Sequence, residues 1–206
     1  MHRITERNPK LVWEALLEGN QRFAEGKPLR PNQDAERRAE LTKGQTPRVC
    51  VFTCGDSRVP AEILFDAGLG DIFVIRTAGE IVDSGVMASL EYAVLSLGVE
   101  VVVVLGHESC GAVRAATDVL NGEGEVPTGH QRTIVEQITP SILEARSKGK
   151  NHTDSYERYH ADAVGQKIMW LSSRIKKKVE DGTTALVSAR YCLSDGKVQT
   201  VRTYGI

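Results

Sequence analysis

From residue 49 onward the chain alternates short, almost continuous apolar runs with stretches of helical length, and that alternation admits few folds. The runs are Val49–Thr53, Asp71–Ile75, Val101–Leu105 and Ala185–Tyr191. Strands apolar on both faces belong to sheets covered on both sides, which are built parallel with helices as crossovers. Val101–Leu105 is almost wholly β-branched, as suits a pleated strand. Helices are predicted over 84–97, where Val86, Leu90, Ala93, Val94 and Leu97 share a face, and over 111–121, 131–147 and 154–180. Ser194-Asp195-Gly196-Lys197 carries an Asp-Gly hairpin signal, so 198–203 should return as an antiparallel strand. The expected fold class is α/β: a mostly parallel sheet of four strands plus an antiparallel fifth, flanked by helices, with an N-terminal helical arm.

That arm begins with Pro9 at a helix start and carries Trp13, Leu16, Leu17, Phe23 and Ala24 at helical spacing over residues 9–25. Residues 26–48 turn polar, with Pro28, Pro31 and Pro47. Such a helix can lie on its own domain or on a neighbour. We divide the chain into 1–48, an arm expected to pack on a partner subunit, and 49–206, an α/β domain that carries the motifs described below.

A chain of 206 residues, 41% hydrophobic, suits one real core. Its net charge of −1 offers no field to recruit nucleic acid or an anionic membrane. Lys176-Lys177-Lys178 and Arg37-Arg38 read as solvated helix faces. No apolar stretch reaches the roughly 18 residues that span a bilayer. Met1–Arg7 lacks the apolar core of a signal peptide, so a cytoplasmic location is expected. There the cysteines Cys50, Cys54, Cys110 and Cys192 serve as metal ligands or buried thiols rather than as disulfides.

Two motifs follow strand ends, where open α/β sheets form their sites. Cys54-Gly55-Asp56-Ser57-Arg58 follows the first strand and His107-Glu108-Ser109-Cys110-Gly111 the third. If those strands are neighbours, Cys54, His107 and Cys110 can meet at one ion, and two thiolates with an imidazole suit zinc. Amides at the helix start near 110 would favour the thiolate. Glu108 and Ser109 are expected to cap or solvate the turn. The plainer alternatives are buried thiols and a sealed structural zinc. A sealed site needs a fourth ligand, for which Cys50 is only a possibility and Cys192 lies far off, so three ligands fit a catalytic zinc better. Asp56 can ligate the metal or accept a hydrogen bond from zinc-bound water, with Arg58 orienting it. An ordinary Asp–Arg salt bridge is the alternative there.

The pattern Cys-x-Asp-x-Arg followed by His-x-x-Cys resembles the β-class carbonic anhydrases. The similarity continues through Ser57-Arg58-Val59-Pro60, Phe73-Val74-Ile75-Arg76-Thr77-Ala78-Gly79, Leu90-Glu91-Tyr92-Ala93-Val94 and Gly106-His107. The resemblance implies zinc bound by Cys54, His107 and Cys110, with the catalytic dyad Asp56–Arg58. In the plant-like branch it further implies that Gln45 reaches the neighbouring subunit's site, and that Phe73 and Tyr92 line the carbon dioxide pocket. Thr77 and Glu80 replace asparagines common in the family. Val51 and Thr53 replace the tryptophan and glycine of the branch that bicarbonate inhibits at a separate site, although Arg76 and Tyr191 match other parts of it.

The implied activity is reversible hydration of carbon dioxide to bicarbonate and a proton by zinc-bound hydroxide, in a homodimer that can pair into a tetramer. Asp56 can fill zinc's fourth position in a closed state, and the open form is expected at neutral to alkaline pH. The alternatives are hydrolysis of carbonyl sulfide or carbon disulfide, and a zinc-stabilised binding module without turnover. His130, His152 and His160 are expected at the surface.

Overall fold

Five strands form one sheet in the computed structural model, which describes residues 7–206; the reading of residues 1–6 lies outside them. They are β1 (Val49–Cys54), β2 (Ile72–Thr77), β3 (Val101–His107), β4 (Ala185–Tyr191) and β5 (Val198–Tyr204), in the order β2-β1-β3-β4-β5. The first four are parallel and β5 runs antiparallel to β4. β1 and β3 are neighbours, with Thr53 opposite Leu105. That register brings the carboxyl ends of both strands, and both motifs, to one end of the sheet.

Both faces are covered, which is why the strands read as continuous apolar runs. On one face Val49, Val51, Val101, Val103 and Leu105 meet α1 (Pro9–Ala24) and α3 (Ala61–Leu64) through Val12, Trp13, Leu16 and Leu64. On the other, Cys50, Phe52, Val102 and Val104 lie under α4 (Ser84–Glu91), α7 (Thr153–Leu171) and α8 (Ser173–Glu180). After β3 come α5 (Gly111–Asn121) and α6 (Arg132–Ser147), which pack with Cys54 and Cys110 in a third apolar cluster beside the motifs.

Two helical predictions are corrected. The stretch 154–180 is two helices, because Ser172 ends α7 and its hydroxyl accepts the Ile175 amide at the start of α8. The stretch 84–97 changes after Glu91 into a π-helical turn over Tyr92–Ser96.

The arm's helix is occupied by its own chain. Asn8 caps α1 by accepting the Lys10 and Leu11 amides, and Trp13 meets Phe65 edge-on at 6.4 Å. From α1, Asn20 donates to the carbonyls of Leu64 and Gly196 and accepts the Val198 amide. The short helix α2 (Ala35–Glu40) follows, and Arg37 donates to the Leu69 carbonyl. Val12, Trp13 and Leu16 of α1 are thus buried against their own domain, while Leu11 stays exposed.

Candidate metal centre

Cys54 ends β1, His107 ends β3, and Cys110 sits immediately ahead of α5. Their donor atoms all lie within 4.8 Å of one another, and all three residues are buried. The turn between His107 and Cys110 passes through Ser109 at φ 56°, a left-handed conformation that costs a non-glycine residue about 1 kcal/mol. Tertiary bonds hold it there. The Glu108 amide donates to the Tyr191 carbonyl, the Glu108 carboxylate accepts the Ser194 amide, and Arg58 donates to the Ser109 carbonyl.

Each ligand candidate is oriented by backbone. His107 Nδ1 lies 2.9 Å from the Glu108 carbonyl oxygen, which can only accept, so Nδ1 carries a proton and, in the neutral ring, Nε2 keeps a free lone pair. That Nε2 is fully buried and has no hydrogen-bond partner. Cys54 Sγ accepts the Gly79 amide at 3.3 Å. Only glycine can sit at 79: its φ is 69°, and a Cβ would come within 2.6 Å of Ala112 Cβ.

The Cys110 hydrogen bond draws the Cys54 thiol well below its ordinary range, against the opposing effect of burial. The same bond, with burial, pushes Cys110 up, while the Val113 amide in the first turn of α5 pulls the other way. One thiolate and one thiol thus share a proton until a cation replaces it. Two sulfurs and an orphaned imidazole nitrogen are a donor set that zinc fits. Cys50 belongs elsewhere: burial lifts its thiol to about 12, and neither it nor Cys192 joins the group.

Asp56 and Arg58 form a two-point pair, Nε to Oδ1 at 2.9 Å and Nη2 to Oδ2 at 2.7 Å. The Arg58 bonds hold the Asp56 carboxyl far below the usual range although burial opposes them. Asp56 Oδ2 lies 4.0 Å from His107 Nε2, beside the donor group but turned to the guanidinium. Arg76 fixes the turn between them by donating to the carbonyls of Cys54 and Asp56.

The other expected site residues stand elsewhere. Phe73 and Tyr92 do meet, with ring centroids 6.1 Å apart. Yet Phe73 pairs with Cys50 while Thr77 pairs with Cys54, so Phe73 lies four residues down the strand, about 13 Å away. Gln45 is exposed on the loop before β1, at the opposite end of the strand from Cys54. His130 and His152 are exposed, as expected, but His160 is buried. Its ring nitrogens bond Gly79 O at 2.7 Å and Ser141 Oγ at 3.0 Å. Sequence reading missed Glu157 and Arg190 altogether, because only tertiary contact brings them beneath the motifs.

Fold and site together define an α/β protein with a Cys–His–Cys centre at the ends of adjacent parallel strands. The profile of the family described as carbonic anhydrase matches residues 49–198. The chain is 51% identical to a carbonic anhydrase of Mycolicibacterium smegmatis over 93% of each chain. It is 47% identical to carbonic anhydrase 2 of Mycobacterium tuberculosis, over 92% of this chain and 91% of that one. In fold it resembles a Coccomyxa β-carbonic anhydrase solved with acetazolamide, with a TM-score of 0.73 and 22% identity over 91% of this chain and 86% of that one. A tetrameric β-carbonic anhydrase of Sordaria macrospora gives a TM-score of 0.71 at 21% identity, over 91% and 95%. The chain belongs to the carbonic anhydrase family, with the fold of the β-carbonic anhydrases, and is an enzyme of carbon dioxide hydration. No helix among the described residues is long and apolar enough to cross a membrane.

Proposed function

We propose that this enzyme interconverts carbon dioxide and bicarbonate at a zinc ion held by Cys54, His107 and Cys110. The observation that carries the reading is the buried, partnerless Nε2 of His107, aimed at two cysteines within bridging distance. When bound, zinc supplies the Lewis acidity that makes water a usable nucleophile near neutral pH.

The chain's own residues do the rest. Asp56 stays ionised throughout the working range, so its Oδ2 accepts a hydrogen bond from the attacking water and never donates one. Arg58 holds that carboxylate away from the metal, which supports the open form at neutral to alkaline pH. We assign Gln45, Phe73 and Tyr92 to substrate binding in a neighbouring subunit's site. All three lie toward the far end of β1 and β2 from their own Cys54, and an aromatic pair on the edge strand, Tyr92 exposed and Phe73 half-buried, suits a small apolar pocket closed by a second copy. The reading therefore includes a homodimer with shared sites, able to pair into a tetramer. Residues 49–206 carry the chemistry, and the arm beyond α1 meets the partner. We place this work in the cytoplasm, whose reducing poise keeps Cys54 and Cys110 as thiols.

Stopped-flow mixing with carbon dioxide and a pH indicator tests the proposal. Activity should vanish with a chelator and return with zinc, and carbonyl sulfide should turn over far more slowly. Undiminished turnover by demonstrably zinc-free protein would refute it.

A further inference from the structure

Helix α7 presents Glu157 and His160, three residues apart and hence on one face, to the underside of the metal centre. Glu157 is 3% exposed and His160 is 2% exposed. Glu157 Oε1 accepts the Cys110 amide at 3.3 Å while its Oε2 accepts Arg190 Nε at 2.7 Å. Arg190 stands on β4 opposite Gly106, the residue before His107, and also pairs with Asp154 at 3.0 Å. The carbonyl of Gly79 can only accept, so His160 Nε2 donates to it and Nδ1 accepts the Ser141 hydroxyl. The amide of the same Gly79 donates to Cys54 Sγ. Two cysteines that arrive from different segments of the chain are thus referenced to a single helix, Cys110 through its amide and Cys54 through residue 79.

Burying Glu157 and Arg190 is costly, and well-packed apolar residues would stabilise the fold as well or better. Their geometry is explained by what they hold. We propose that Glu157 and His160 are positioning residues that set the two cysteine arms of the metal site. The proposal rests on the zinc reading above, and extends it to residues that touch neither metal nor substrate.

The test compares substitutions that keep each hydrogen bond with substitutions that fill similar volume without it. Glu157→Gln retains an acceptor for the Cys110 amide, and His160→Gln retains a donor for the Gly79 carbonyl. Glu157→Leu and His160→Leu retain neither. Zinc affinity is measured by chelator competition, and the cobalt-substituted protein reports ligand geometry through its visible absorption. The leucine variants should bind zinc 10–100-fold more weakly with a displaced cobalt spectrum, and the glutamine variants should stay near wild type. Equal zinc affinity and an unchanged cobalt spectrum in both leucine variants, with losses confined to the thermal stability of zinc-free protein, would overturn the proposal. Should the leucine variants fail to fold, Glu157→Asp and His160→Asn, each with a shorter reach, carry the same test. A displaced cobalt spectrum supports the assignment and an unchanged one refutes it. Wild-type protein that binds no zinc at all would refute the metal reading instead.

Discussion

Arg58 grips both oxygens of Asp56 although half of its own side chain is exposed. A pair so exposed adds little to stability, so its value lies in aim. Arg58→Ala should keep its zinc and nearly all of its thermal stability while kcat/KM falls about 10–100-fold. Without Arg58 the Asp56 carboxyl rises toward its ordinary range but is still ionised at neutral pH, so the loss reports orientation and not protonation. Crystals grown at alkaline pH should keep Asp56 on Arg58; Asp56 found on the metal there, or a variant as fast as wild type, would show that the dyad gates nothing. Cys110→Ala should lose most of its zinc by metal analysis, since two donors remain of three. Glu80 sends its signal in the opposite direction. It is buried at φ 47°, with Oε2 unpartnered, and burial, then the charges of Cys54 and Glu157, push its carboxyl well above the ordinary range. The folded state therefore holds a proton that the unfolded chain releases near its ordinary pKa, so stability declines as pH rises above about 4.5. Glu80→Gln should raise the melting midpoint at pH 8, by about 2–4 °C for each kcal/mol relieved, and the gain should fade toward pH 4.5. A gain of the same size at both pH values would contradict the buried-proton account.

At the scale of elements, Ser172 separates α7 from α8 and caps the second. Its hydroxyl also donates to Glu91. Ser172→Ala should destabilise the protein by about 1 kcal/mol, visible as a melting shift of about 2–4 °C with unchanged zinc content. The boundary carried a sequence signal in Ser172-Ser173, yet helical periodicity ran through it and 154–180 looked continuous. Strand ends were under-read for a related reason. Apolar patterning stops at Thr53 and Leu105, whereas β1 and β3 continue to Cys54 and His107, so the strands themselves carry these two side chains to the candidate centre. The clustering of Cys54, His107 and Cys110 was legible since each motif is local and the α/β alternation puts parallel strand ends at one end of the sheet. Glu157, His160 and Arg190 were not. Their partners lie 47, 81 and 33 residues away in sequence, and no short pattern encodes such contacts. The seat of α1 was equally hidden, because an amphipathic stripe states that a face is buried without stating against what.

For the whole molecule the separation of Gln45, Phe73 and Tyr92 from Cys54 makes a strong demand. If each site needs those residues from a second copy, two different defects should complement one another. Gln45→Ala and Cys110→Ala chains, each feeble alone, should regain about a quarter of wild-type activity when unfolded and reassembled together, because half of random dimers carry one intact site of two. Absence of any recovery, with mixed dimers demonstrated, would sink the shared site. The closeness of Cys54 and Cys110 has another consequence, for the protein's lifetime in an oxidising cell. Strip the ion, and a sulfur of low proton affinity is left beside a second within 4.8 Å, which is the starting point for a disulfide. A zinc ion bound there would then guard against oxidation as well as serve as a cofactor. Peroxide applied to the zinc-free enzyme should abolish later zinc uptake until a thiol reductant is added, while the zinc-loaded enzyme passes through the same treatment unharmed.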